Sequence, residues 1–230
     1  FGYDPLEFLV GRGACETLGI DVQMGPDAIA ARANFCTLDS DGNITSRRAD
    51  RIGSEESIPL VNKLDTVQLS SDVAVEVHHV ESYRFVLVLR GEGLGSSVKD
   101  TDPQDEGVSP LLAKPEDPTD VAATRTAELV NTFAEKAAAM LGSRDRANFF
   151  LLRGFSREPV DWPDFGKSYC LDPGAIAAYP MYRGLAKITG MKILEAGDSF
   201  DTELQALESN YANHDYFFLH YKPADAAGED

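Results

Sequence analysis

The chain of 230 residues, 43% hydrophobic, 26% charged and 9% aromatic, is long enough to bury a core as one large domain or two small ones. That balance excludes a disordered, collagenous or disulfide-stapled polypeptide. The net charge of −17 argues against general binding of nucleic acid or anionic membrane, both of which need a basic surface.

The chain opens at Phe1 rather than Met and stops after a dense acidic run, so it reads as an internal piece of a longer protein. Asp4-Pro5 suits a helix start. Gly11-Arg12-Gly13 then interrupts, and Ala14 to Leu18 resumes as helix. Ala28 to Leu38 favours a strand. Asp41-Gly42 signals a hairpin, with Asn43 to Arg48 returning beside it. Ser54 reads as an N-cap, with Glu55 and Glu56 in the first turn of a helix to about Thr66. Asp72 to Val80 alternates Val73, Val75 and Val77 with polar partners. Phe85 to Leu89 is apolar on both faces and belongs inside a sheet. Residues 91–120, rich in Asp, Pro, Gly and Ser, form a long loop. Thr119 or Asp120 caps a helix from Val121 to Leu141, stopped by Gly142. Ala147 to Leu152 is a strand ending at Arg153-Gly154. After a loop around Pro159–Pro163, strands at Ala175–Tyr179, Met191–Leu194 and Tyr216–His220 alternate with helices at Pro180–Gly190 and Asp201–Ala212. This βαβαβ order marks a parallel, doubly wound sheet. The α/β chain therefore divides at about residues 25 and 172, with the middle segment inserted into a core built from the two ends.

Three cysteines (Cys15, Cys36, Cys170) lie far apart without a CxxC or Cys/His pattern. They indicate a reducing, cytoplasmic setting rather than a disulfide framework or zinc site. No apolar run reaches the roughly 18–20 residues that span a bilayer. The four histidines read as packing or surface residues. Gly11-Arg12-Gly13 lacks the preceding strand that a dinucleotide site requires.

Two constellations carry chemistry. Arg47-Arg48-Ala49-Asp50-Arg51 places three guanidinium groups within five residues, in a chain where Arg outnumbers Lys 13 to 8. Arg32, Arg84, Arg90 and Arg153 sit in strands or at strand ends of the same segment. Gathered together they make a pocket for a phosphorylated acid, because Arg grips each anion with a planar fork. Read singly, each is as well explained by a surface ion pair. The second constellation follows the last strand. Asp225 and Glu229 offer hard oxygen donors suited to Mn²⁺ or Mg²⁺, Lys222 offers a phosphate contact, and the alternative is a solvated acidic loop.

Gly2-Tyr3-Asp4-Pro5, Gly11 to Gly19, Ala31 to Phe35, Arg47 to Ile52, Val88 to Leu94, Asp100-Thr101-Asp102-Pro103, Leu152-Arg153-Gly154 and His220 to Asp230 together resemble the archaeal-type, cofactor-independent phosphoglycerate mutases. The resemblance implies an α/β fold in which part of an alkaline phosphatase-like, doubly wound core (1–25 and 173–230) carries an inserted α+β substrate domain (26–172). It implies interconversion of 2-phosphoglycerate and 3-phosphoglycerate through a phosphoserine, with two divalent metal ions. The nucleophilic Ser would precede Phe1, so the 230 residues alone would be inactive. Arg32, Arg47, Arg48, Arg51, Arg84, Arg153 and Lys222 would bind substrate, and Asp225 and Glu229 would bind metal. Glu229 stands where the family commonly has His, and Ser46 and Asp50 replace the Asp and Gly of the pattern Asp-Arg-Arg-Ala-Gly-Arg. The other readings are a sister branch proposed to phosphorylate homoserine and a non-catalytic phosphate-binding module.

Overall fold

Residues 1–227 are described by the structure, a computed structural model. The elements in chain order are α1 (Arg12–Gly19), β1 (Ala28–Leu38), β2 (Ile44–Ser46), α2 (Ser54–Leu64), β3 (Ala74–Glu81), β4 (Arg84–Arg90), α3 (Val121–Leu141), β5 (Phe149–Ser156), α4 (Phe165–Tyr169), β6 (Pro173–Ala177), α5 (Pro180–Ile188), β7 (Lys192–Ile193), α6 (Phe200–Asn210), β8 (Tyr216–His220) and α7 (Lys222–Ala227). Among the described residues no helix is long and apolar enough to cross a membrane.

The chain separates into two compact units. One contains residues 11–14 and 24–158; the other contains residues 1–10, 15–23 and those from 159 onward. Residues 159–172, assigned to the middle segment from sequence, cluster with the outer pieces.

The middle unit is an antiparallel sheet in the order β2-β1-β4-β3, with β5 also paired to β1. The apolar run of β4 lies between β1 and β3, as a strand without a polar face must. Alternation along the strands turns Ile29, Ala31, Ala33, Phe35, Phe85, Leu87 and Leu152 to one face. There they join Leu60, Val61 and Leu64 of α2 and Val130, Phe133 and Ala137 of α3 in one core. Asp120 caps α3 by accepting the Ala123 N–H at 2.9 Å. On the outer strand β3, the Val77 N–H donates to Asp65 Oδ1 at 2.7 Å.

The stretch 91–120 has no helix or ladder strand, yet it is tied down. Thr101 N–H donates to the Leu152 carbonyl (2.9 Å), Leu111 N–H to the Thr101 carbonyl (2.9 Å), and Asn131 brackets Ala113 with two hydrogen bonds.

The other unit has a parallel sheet, β7-β6-β8, as the βαβαβ order requires. Pro180 opens α5 and Gly190, at φ +78°, follows its end.

Several boundaries differ from the sequence expectation. Asp4-Pro5 begins a single turn rather than a helix, closed by the Phe8 N–H on the Asp4 carbonyl (2.9 Å). α1 starts at Arg12, so Gly11-Arg12-Gly13 opens the helix rather than breaking it. Gly53, not Ser54, holds the cap position of α2. The Ser54 hydroxyl accepts the Ser82 N–H instead, at 3.0 Å. β5 runs through Arg153-Gly154 to Ser156, because Gly154 takes φ +64° where the register with β1 shifts. α4 and α7 were not expected.

Candidate anion-binding site

Strand alternation decides where the arginines go. Leu152 and Phe85 face the core, so their neighbours Arg153 and Arg84 face the other way, together with Arg32 and Asn34 of β1. In register Arg32 is directly opposite Arg153, and Asn34 is directly opposite Arg84. Three guanidinium-bearing residues from three adjacent strands thus share one sheet face. Like charges directly opposite each other in a sheet are destabilising by up to about 1 kcal/mol. Such a face is explained by an anion that binds there. The neighbours partly satisfy it: Arg84 donates to the Tyr83 hydroxyl (3.1 Å) and meets Glu81 at 3.4 Å. Arg90, further along β4, is committed to Glu76 through two hydrogen bonds.

The second set is built on a left-handed turn. Ala49, Asp50 and Arg51 have φ of +46°, +54° and +56° in succession, a conformation that costs a side-chain-bearing residue roughly 1–2 kcal/mol each. Buried Ala49 and Ile52 anchor the turn, the Ser46 hydroxyl accepts the Asp50 N–H at 2.9 Å, and the Arg51 N–H closes on the Arg48 carbonyl at 2.8 Å. The result is an open cleft of about 510 Å³ lined by Arg47, Arg48 and Arg51, but also by Asp50, Asp105 and Glu106. Arg48 and Arg51 are exposed and make no ion pair among the described residues.

Arg47 is different. Its Nε donates to Asp102 Oδ1 (3.1 Å) and its Nη2 to Asp102 Oδ2 (2.7 Å), a side-on fork. Those hydrogen bonds raise the Arg47 pKa above its ordinary value. Burial pushes the Asp102 carboxyl up, but the Arg47 hydrogen bond, the Gln104 N–H and the charges of Arg47 and Arg153 outweigh it. The Asp102 pKa is therefore lowered.

The strained turn gives the first prediction. Glycine at position 50 would relieve roughly 1–2 kcal/mol of backbone strain while adding about 0.4–1 kcal/mol of unfolded-chain entropy. Asp50→Gly is therefore expected to raise the melting temperature by roughly 1–2 °C. Removing a carboxylate from beside three arginines should also tighten binding of inorganic phosphate. A lower melting temperature, or weaker phosphate binding by calorimetry, would refute the account.

In the other unit, Lys222 follows β8 with its ammonium 5.4 Å from the centre of the Tyr179 ring, whose hydroxyl donates to buried Glu16 at 3.4 Å. His220 stacks on Tyr182 with ring centres 3.6 Å apart. Asp225 lies in α7, immediately past the strand end, where the sequence suggested a loop. Glu229 lies outside the described residues. Among the described residues no group of three or more His, Cys, Asp or Glu is placed to hold a metal ion. Asp225 and Glu229 can contribute oxygen donors, but the described residues do not assemble a whole metal centre.

Comparison with known proteins follows the same lines. The family described as 2,3-bisphosphoglycerate-independent phosphoglycerate mutase matches residues 1–146. A protein of Thermus thermophilus named as a probable 2,3-bisphosphoglycerate-independent phosphoglycerate mutase is 44% identical, over 100% of this chain and 57% of its own length. One of the same name from Thermotoga maritima is 42% identical, over 100% of this chain and 56% of its own length. The chain thus spans little more than half the length of these relatives. Among solved structures, a cofactor-independent phosphoglycerate mutase from Thermoplasma acidophilum superposes with a TM-score of 0.64 at 27% identity, covering 95% of this chain and 60% of that one. A Pyrococcus horikoshii protein shares the fold, with a TM-score of 0.71 at 22% identity over 100% of this chain and 56% of its own.

Proposed function

Because this chain belongs to the 2,3-bisphosphoglycerate-independent phosphoglycerate mutase family, we propose that the whole protein interconverts 2-phosphoglycerate and 3-phosphoglycerate and that this chain supplies the grip on the substrate's anions. The observation that carries the reading is the sheet face on which Arg32 opposes Arg153, with Arg84 on the next strand. Phosphoglycerate presents a carboxylate and a phosphate, so it needs several fixed forks at once. In a reaction through phosphoserine, the glycerate must stay bound while the phosphoryl group leaves one hydroxyl and returns to the other. Arg32, Arg84 and Arg153, with Arg47, Arg48 and Arg51, are the residues assigned to hold it. Lys222 is assigned to the phosphate.

The core is read as alkaline phosphatase-like and the protein as cytoplasmic. Asp225 and Glu229 are the proposed oxygen donors from this chain to Mn²⁺ or Mg²⁺. Two such ions in the whole protein would stabilise charge on the phosphoryl oxygens.

The test is a coupled mutase assay on the full-length protein, with and without Mn²⁺. Turnover of 3-phosphoglycerate that EDTA abolishes is the expected result; the 230 residues alone should show none. Arg48→Lys and Arg84→Lys keep the charge and lose the fork, and each should raise KM several-fold. Absence of turnover by the full-length protein in both conditions would overturn the reading. Wild-type kinetics in both variants would return these arginines to the role of surface ion-pair residues.

A further inference from the structure

The sequence block Asp100-Thr101-Asp102-Pro103 has no role in the site as described so far, yet it stands between the two arginine sets. Its backbone is fixed along β5. Thr101 N–H donates to the Leu152 carbonyl (2.9 Å), the Leu152 N–H donates to Thr101 Oγ1 (2.8 Å), and the Gly154 N–H donates to Asp100 Oδ1 (2.8 Å). This places the Asp102 side chain, 1% exposed, between Arg47, which it grips with both oxygens, and Arg153, at 3.6 Å. Asp100 meets Arg153 from another side, with Nε to Oδ2 at 3.3 Å.

A carboxylate removed from water is costly, and a buried ion pair is weak as a source of stability, since apolar residues of the same volume often serve as well. What such a pair does supply is orientation. Asp102 occupies the Nε and Nη2 edge of Arg47, so the Nη1 end stands apart from the pair, in a side chain that lines the open cleft.

We propose that Asp102 is a positioning residue: it holds Arg47 of the left-handed turn and Arg153 of the sheet face in one arrangement, so that the two arginine sets bind one phosphorylated acid together. This rests on the anion-binding reading above. Asp102 does not touch the substrate; it acts through the two guanidinium groups.

The experiment uses the full-length protein, with 3-phosphoglycerate binding measured by calorimetry alongside mutase KM and kcat. Asp102→Asn keeps the shape and removes the charge. Its Kd and KM should rise roughly tenfold, within the range for coupled neighbours, with kcat changing less. Asp102→Glu, which restores the carboxylate, should recover part of the loss. A fall in melting temperature with unchanged Kd and KM would show that Asp102 is only structural and would overturn the proposal. In case the Asn variant does not fold, Arg47→Lys, Arg153→Lys and the double variant give an independent answer. Coupled arginines make the double loss in affinity smaller than the product of the single losses, whereas a multiplicative loss overturns the proposal. If wild-type protein binds 3-phosphoglycerate without turning it over, and Asp102→Asn weakens that binding, the mutase reading falls and the positioning role stands.

Discussion

Arg32→Gln in the full-length protein is expected to lower mutase kcat/KM roughly 10- to 150-fold while changing folding stability by less than about 1 kcal/mol. The first figure is the loss of one hydrogen bond to a charged group, about 1.5–3 kcal/mol, expressed as a rate. The second follows from the sheet: Arg32 faces Arg153 across the β1–β5 pair, so neutralising it removes a like-charge opposition rather than a stabilising contact. Activity and stability should therefore separate. The check is a pair of measurements on one preparation, steady-state kinetics and thermal denaturation. Unaltered kcat/KM would make Arg32 a scaffold residue of β1. A melting temperature that falls in step with activity would mean that the lost rate reports unfolding.

The second large effect is structural. Gly13→Ala is expected to destabilise the protein by about 3 kcal/mol or more, even though alanine is the better helix former by about 1 kcal/mol. A β-carbon on Gly13 would sit 2.1 Å from the Ala30 carbonyl oxygen and 2.8 Å from Ala31 Cα. Both atoms belong to the backbone of β1, which is held by β4 on one side and β5 on the other, so the strand cannot retreat. The melting temperature should drop by roughly 6–12 °C. Gly42→Ala is the control: its β-carbon would meet nothing within 4 Å, and only its φ of +83° is penalised, at roughly 1–2 kcal/mol. Equal losses in the two variants would show that close approach to β1 is not what selects glycine at position 13.

These cases also mark what the sequence could disclose. β1, α3 and β8 have the bounds read from their residue patterns, because each is specified locally: a β-branched and aromatic run, an Asp cap, a short apolar block between turns. α1 was cut short because its first glycine looked like a breaker. It is a packing residue, and its reason lies in a strand 17 positions away. The left-handed turn was invisible, since only the departure at Asp50 from a family glycine hinted at it. Among the site residues, Arg47, Arg48 and Arg51 stood together in sequence. That Arg32, Arg84 and Arg153 share a face depends on the register of three strands. Asp102 was missed as a partner of Arg47 because 55 residues separate the two, and no spacing rule reaches that far.

The single hydrogen bond from Val77 to Asp65 on β3 has a bearing on association. An outer strand of a sheet presents backbone donors and acceptors on which another chain can build, and a sheet carrying arginines on one face and a core on the other has little else to stop it growing sideways. Asp65, placed just after α2, occupies one of those donors and brings a negative charge to the rim of an already acidic chain. Second copies that approach along β3 meet a blocked N–H and a repelling carboxylate, so the side chain that finishes a helix also helps keep the sheet from recruiting its own kind.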